Sequence, residues 1–179
     1  MVLKGIIQNK LLQSAKRSKQ KERWRSRGYP RRLVGLIVCL ENLSELASLK
    51  RVQAFFTKEG ASCYTYIYVK DKKMDVPEEF INEDTILLGS HSVNWFGVVR
   101  PGCAEYFLHE TFDIIVNLSK DFFFPISYLV ALSKAPTKVG RYIHPLVTYR
   151  LVLGANDRDD DDGFVQLLER SLQFIKFEQ

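Results

Sequence analysis

The chain reads as a three-layer α/β protein, a mostly parallel Rossmann-like sheet with helices on both faces, preceded by a basic N-terminal helical arm. Three observations predict this. Short apolar runs such as Leu33–Leu40 (LVGLIVCL) and Phe112–Leu118 (FDIIVNL, which carries one Asp and one Asn) suit strands covered on both faces. They alternate with amphipathic stretches of helical period, which is the pattern of strand–helix–strand units. And the net positive charge lies before residue 33: eleven Lys and Arg face the single Glu22 there, so residues 1–32 carry +10 and the remainder −5.

The arm begins with VLKGIIQNKLLQSA, in which Leu3, Ile7 and Leu11 recur every four residues beside Ile6 and Leu12. That spacing makes one apolar helical face opposite Lys and Gln. From Lys16 to Arg27 the chain is almost wholly basic, with Trp24 set among arginines, and Gly28-Tyr29-Pro30 ends the arm. The expected organisation is an arm over residues 1–30 and one α/β domain over 31–179.

Leu33–Leu40 is the first strand of that domain. Glu41–Lys58 follows as a helix, with Leu46, Leu49, Val52, Phe55 and Phe56 on one side, Asn42 or Ser44 as cap, and Gly60 as stop. Ser62–Val69 (SCYTYIYV) has the aromatic and β-branched content of a strand. After a charged turn at Lys70–Lys73, Val76–Glu79 opens a helical turn and Thr85–Leu88 forms a short strand. Gly89–Trp95 is loop-like, with Phe96–Arg100 extended, and Cys103–Glu110 reads as a short helix.

The central unit, Phe112–Arg141, is a strand, a helix begun at Pro125 and ended by Ala135-Pro136, and a second strand at Thr137–Gly140. Ser119–Asp121 are expected to cap its helix. Val147–Leu153 is read as the last strand, Asn156–Asp162 as an acidic linker, and Phe164–Phe177 as the closing helix.

Several chemistries are argued against. Neither G-x-G-x-x-G nor the phosphate-loop pattern occurs, and the first strand runs into Glu41, which repels phosphate. No cofactor is expected. The acidic run 157–163 imitates a calcium loop, but its glycine falls one place late and its twelfth position is Leu168, so no metal site is expected. Cys39, Cys63 and Cys103 lack metal or disulfide spacing, which points to a reducing compartment. No segment has the roughly 18 consecutive apolar residues of a membrane span. His91, in the polar run Ser90, His91, Ser92 and Asn94, is the best candidate for a pocket lip.

The stretch FDIIVNL, a helix, then ALSKAPTKVGR resembles the first domain of the lipopolysaccharide heptosyltransferases over about residues 112–141. The resemblance implies a Rossmann-like core; that family's glycine-rich loop with a catalytic Asp is replaced here by Cys39-Leu40-Glu41-Asn42, so it carries no catalytic residue over. The whole layout resembles a family of small bacterial α/β proteins with no assigned activity that share a basic N-terminal helix, a strand like Phe112–Asn117 and a K-V-G segment, here Lys138–Gly140.

The expected function is therefore a non-enzymatic binding protein that docks through its arm on a large polyanionic assembly, ribosomal or other structured RNA foremost. The contacts would be Lys10, Lys16, Arg17, Lys19, Lys21, Arg23, Arg25, Arg27, Arg31 and Arg32, with Trp24 stacking on bases. Sequence-specific DNA recognition is not expected. A second reading is an accessory protein at a membrane surface or membrane complex, buried through the Leu/Ile stripe. A third is a degenerate glycosyltransferase-like or nucleotide-binding domain. The expected location is the cytoplasm, or the inner face of the membrane under the second reading.

Overall fold

The structure is a computed structural model that describes residues 2–18, 32–144, 147–154 and 161–174. In chain order the elements are α1 (Val2–Ser18), β1 (Leu33–Leu40), α2 (Glu45–Lys58), β2 (Ser62–Val69), β3 (Thr85–Leu88), α3 (Pro101–His109), β4 (Ile114–Asn117), α4 (Phe124–Leu132), β5 (Thr137–Gly140), β6 (Leu151–Val152) and α5 (Asp161–Phe174). The six strands form one sheet in the order β3-β2-β1-β4-β5-β6, every neighbouring pair parallel. The chain winds outward from β1 to β3, then returns to β1's other side to lay down β4–β6. The expected three-layer Rossmann-like fold is the fold observed.

Strand periodicity assigns the two faces. Val34, Leu36, Val38 and Leu40 of β1 join α2 and α5 in one core, through Leu49, Val52, Phe164 and Leu168. Ile37 and Cys39 point the other way, into a core with α1, α3 and α4 through Leu12, Phe107, Ile126 and Val130. Thus α1 belongs to the packed body. Leu12 is fully buried against it, Leu11 and Ile7 are half-buried, and Ile6 stays largely exposed, so the buried edge runs along 7, 8, 11 and 12.

Several local expectations change. The last strand is only Leu151–Val152, because Val147 instead bridges back to His144. Ser119 does not cap α4, whose N-cap is Phe123 without a side-chain bond; the Ser119 hydroxyl accepts the Cys39 N–H at 3.0 Å. Likewise α2 starts after Ser44 with no side-chain cap, and Asn42 Oδ1 instead accepts the Ser44 N–H within the loop. Asp161 and Asp162 do open α5, where carboxylates favour the positive end of the helix dipole.

The K-V-G segment has a structural account at each position. Lys138 is buried, and its ammonium donates to the carbonyls of Val130 (2.6 Å) and Ser133 (2.8 Å), satisfying the end of α4. Val139 is core. At Gly140 a Cβ would lie 2.6 Å from the Tyr149 ring, so only glycine lets that ring lie against the strand.

Candidate functional site

Ligands of doubly wound sheets bind beyond the carboxyl ends of the strands, where the winding reverses. Here that point lies between β1 and β4, and side chains of the same chain cross it. Glu45, at the start of α2, is almost fully buried; its Oε2 accepts the Glu41 N–H at 2.8 Å, and Lys120 Nζ lies 3.9 Å from its Oε1. Lys120 also stands 3.2 Å from Asp161 Oδ2. Asp161 forms a further ion pair with Arg141, whose buried guanidinium stacks 4.7 Å from the Phe164 ring centroid. The first turn of α5 therefore places a carboxylate where a phosphate would need cations. Burial raises the Glu45 carboxyl above its ordinary value, against the pull of the Glu41 N–H and of Lys120.

Behind the crevice, Asn117 Nδ2 donates to the hydroxyls of Tyr149 (2.7 Å) and Tyr142 (3.1 Å), and Tyr142 meets Ser127 Oγ at 2.8 Å. Burial pushes the Tyr149 hydroxyl far up. The two phenols are held by an amide and a serine hydroxyl, their own hydroxyls lie 3.4 Å from each other, and this knot ties β4, α4 and the chain after β5 together. Burial similarly pushes the Cys39 thiol to about 12, so it is a core packing group, not a nucleophile. His144 stacks on Phe122 at 4.0 Å, and burial lowers its pKa, which keeps the imidazole neutral near pH 7.

The four residues expected at a pocket lip divide into two pairs. Ser90 and His91 line an open cleft of about 450 Å³ beyond β2 and β3, with Met74, Val76, Ile81 and Leu87 as apolar wall and Asp71, Lys72 and Asp75 also lining it. Ser92 is buried, its Oγ accepting the Gly89 N–H at 3.2 Å. Asn94 is exposed, and its Oδ1 accepts the N–H groups of Phe96 (2.9 Å) and Val98 (3.0 Å), shaping a turn.

Of the arm residues, Lys10 projects from α1 into solvent, and Arg32 is half-buried beside the start of β1. Lys16 and Arg17 lie in the last turn of α1, their side chains outside the described set. Lys19, Lys21, Arg23, Trp24, Arg25, Arg27 and Arg31 lie outside the described residues. The structure does bring together residues the sequence reading passed over. Val93 and Val99 bridge as an antiparallel pair, closing a small hairpin whose tip carries Trp95 and Phe96. Gln8 Nε2 of α1 donates to the Phe96 carbonyl at 2.8 Å, and Lys4 Nζ lies 5.9 Å from the Trp95 ring centroid. A legible signal existed: residues 85–104 contain no Asp or Glu, and neither does the chain before Glu22.

Among the described residues no helix is long and apolar enough to cross a membrane. No curated protein and no solved structure matches the chain. Residues 4–175 match the family described as "Family of unknown function (DUF6913)", a span that takes in α1 as well as the whole sheet, and the chain belongs to that family.

Proposed function

We propose that this protein is a non-enzymatic docking protein whose basic N-terminal arm holds a large polyanionic assembly, with structured RNA, and ribosomal RNA in particular, as the first choice. The observation that carries this is the charge division: +10 over residues 1–32 against −5 over the rest. Such segregation serves a polyanion, because each Lys or Arg that meets a phosphate releases a condensed counterion. The burial of Leu12 supports it further, since α1 is anchored to the body with Lys10 facing outward and the basic segment leaves from a fixed base. A cytoplasmic location suits such a partner.

The membrane-surface reading has less to draw on. It needs the Leu/Ile stripe of α1, and Leu11 and Leu12 of that stripe pack into the body. The glycosyltransferase-like or nucleotide-binding reading needs an anion cradle where the winding reverses, and that place holds Glu45 and Asp161. The deciding measurement is affinity for a structured RNA from about 50 to about 200 mM salt. With six or more phosphates contacted it should fall roughly a thousandfold. Affinity that stays flat over this range would remove the electrostatic basis of the proposal.

A further inference from the structure

We propose that the hairpin closed by Val93 and Val99 is a second RNA contact, in which Trp95 stacks on an unpaired base while Lys4 of α1 meets the adjoining phosphate. The inference rests on the RNA reading above and narrows it: the partner presents single-stranded nucleotides, not only duplex.

The first argument is the exposure of Trp95. A tryptophan side chain normally buries most of its large apolar surface, yet Trp95 is 78% exposed. The second is that its backbone is held. The Asn94 N–H donates to the Val98 carbonyl at 2.9 Å, the Asn94 carboxamide accepts two backbone N–H groups, and the Gly97 N–H closes on the Asn94 carbonyl. Gly97 has φ +81°, a conformation that suits glycine, so the turn has a residue fitted to it. From the other side Gln8 bonds the Phe96 carbonyl. An aromatic ring on a braced turn loses little conformational freedom on binding, which favours affinity.

The third argument is charge. The body as a whole is acidic, but this corner joins two acid-free stretches, residues 2–21 and 85–104. Among the described residues no carboxylate pairs with Lys4; its ammonium lies over the indole. A cation beside an exposed aromatic plane is the pairing that single-stranded nucleic acid uses, phosphate to the cation and base to the ring. A duplex offers the phosphates but keeps its bases stacked inside. Unpaired RNA fits both groups at once.

The test uses the full chain carrying Trp24→Phe, which keeps a ring at position 24 and leaves Trp95 as the only tryptophan, since the chain has two. Its emission is followed while a dodecameric oligouridylate, or an RNA duplex of equal length, is added at low salt. The expected result is quenching by the single strand and little by the duplex. In the otherwise native chain, Trp95→Ala should weaken oligouridylate binding about tenfold, in line with the loss of one stacked base, and Trp95→Phe should restore most of it. The salt dependence should not change, because no charge is removed. If both RNAs bind with steep salt dependence while Trp95 emission and the Trp95→Ala affinity stay put, the stacking inference falls and the RNA reading stands. If neither RNA binds and vesicles of anionic phospholipid shift Trp95 emission to the blue, both fall in favour of a membrane surface.

Discussion

Among the described residues, cations at two places are used differently. Beyond the ends of β1 and β4, Lys120 and Arg141 sit among Glu45 and Asp161 and are paired within the chain. At the corner where α1 meets the 93–99 hairpin, Lys4 lies over an indole and no carboxylate of the described residues joins it. The first place is the usual ligand position of the fold, yet its charges are spent on holding α5 to the sheet. The second is an accident of no fold rule, but its groups remain presented to solvent. Position within a fold thus says less about binding than whether the charged groups already have partners.

The comparison can be broken most decisively at the crevice. Asp161→Ala removes the carboxylate shared by Arg141 and Lys120, and because the Arg141 side chain is only 5% exposed, the loss should be about 3 kcal/mol in urea unfolding. A change under about half a kcal/mol would mean the cluster is solvated, and the crevice would again be a candidate ligand site. Next comes the anchoring of α1. Leu12→Ala should also cost about 3 kcal/mol, and should weaken RNA binding by less than the loss of the basic residues does, since the charges remain. If stability were untouched, α1 would not be fixed to the body and the corner with Trp95 would lose its geometry.

The smallest effect sharpens the role of Glu45. Its folded-state pKa is raised, so the folded chain binds that proton more readily than the unfolded chain, and the buried carboxylate is most costly when ionised at neutral pH. Glu45→Gln should therefore be slightly more stable than the native chain at neutral pH, by about 1 kcal/mol or less. That advantage should shrink as pH falls through the raised pKa toward the ordinary carboxyl range. Paired urea melts at neutral and mildly acidic pH measure it. An advantage that grows on acidification would show that Lys120 stabilises the carboxylate more than burial penalises it.

Strand positions were legible from short runs of apolar, aromatic and β-branched residues bounded by turn and helix signals. Leu33–Leu40, Ser62–Val69, Thr85–Leu88 and Thr137–Gly140 are read from sequence with their observed ends. Where backbone partners come from far away, the reading failed. Val147–Leu153 has a strand's composition, but only Leu151 and Val152 pair in register with β5, with the N–H groups of Arg150 and Leu153 bonding to Lys138 and Gly140 at either side. Ser119 is a capping residue by type, yet Cys39, eighty positions earlier, presents the N–H it bonds. The pocket lip was half legible for a similar reason: polarity marked Ser90 to Asn94 as a loop, but not that Ser92 and Asn94 would use their acceptors on their own turn.

By itself the sequence determined the fold class, the parallel alternation and the separation of charge, because each depends on local composition and period. Only the tertiary structure decided which charges are spent and which remain. Asp161 was legible as the start of a helix, but its ion pair with Arg141 depends on α5 docking beside the end of β5. Trp95 was one more aromatic in a loop until α1, some ninety residues earlier in the chain, came to lie against its hairpin. Electrostatic partnership acts over a few ångströms of space, and sequence distance carries almost no information about it.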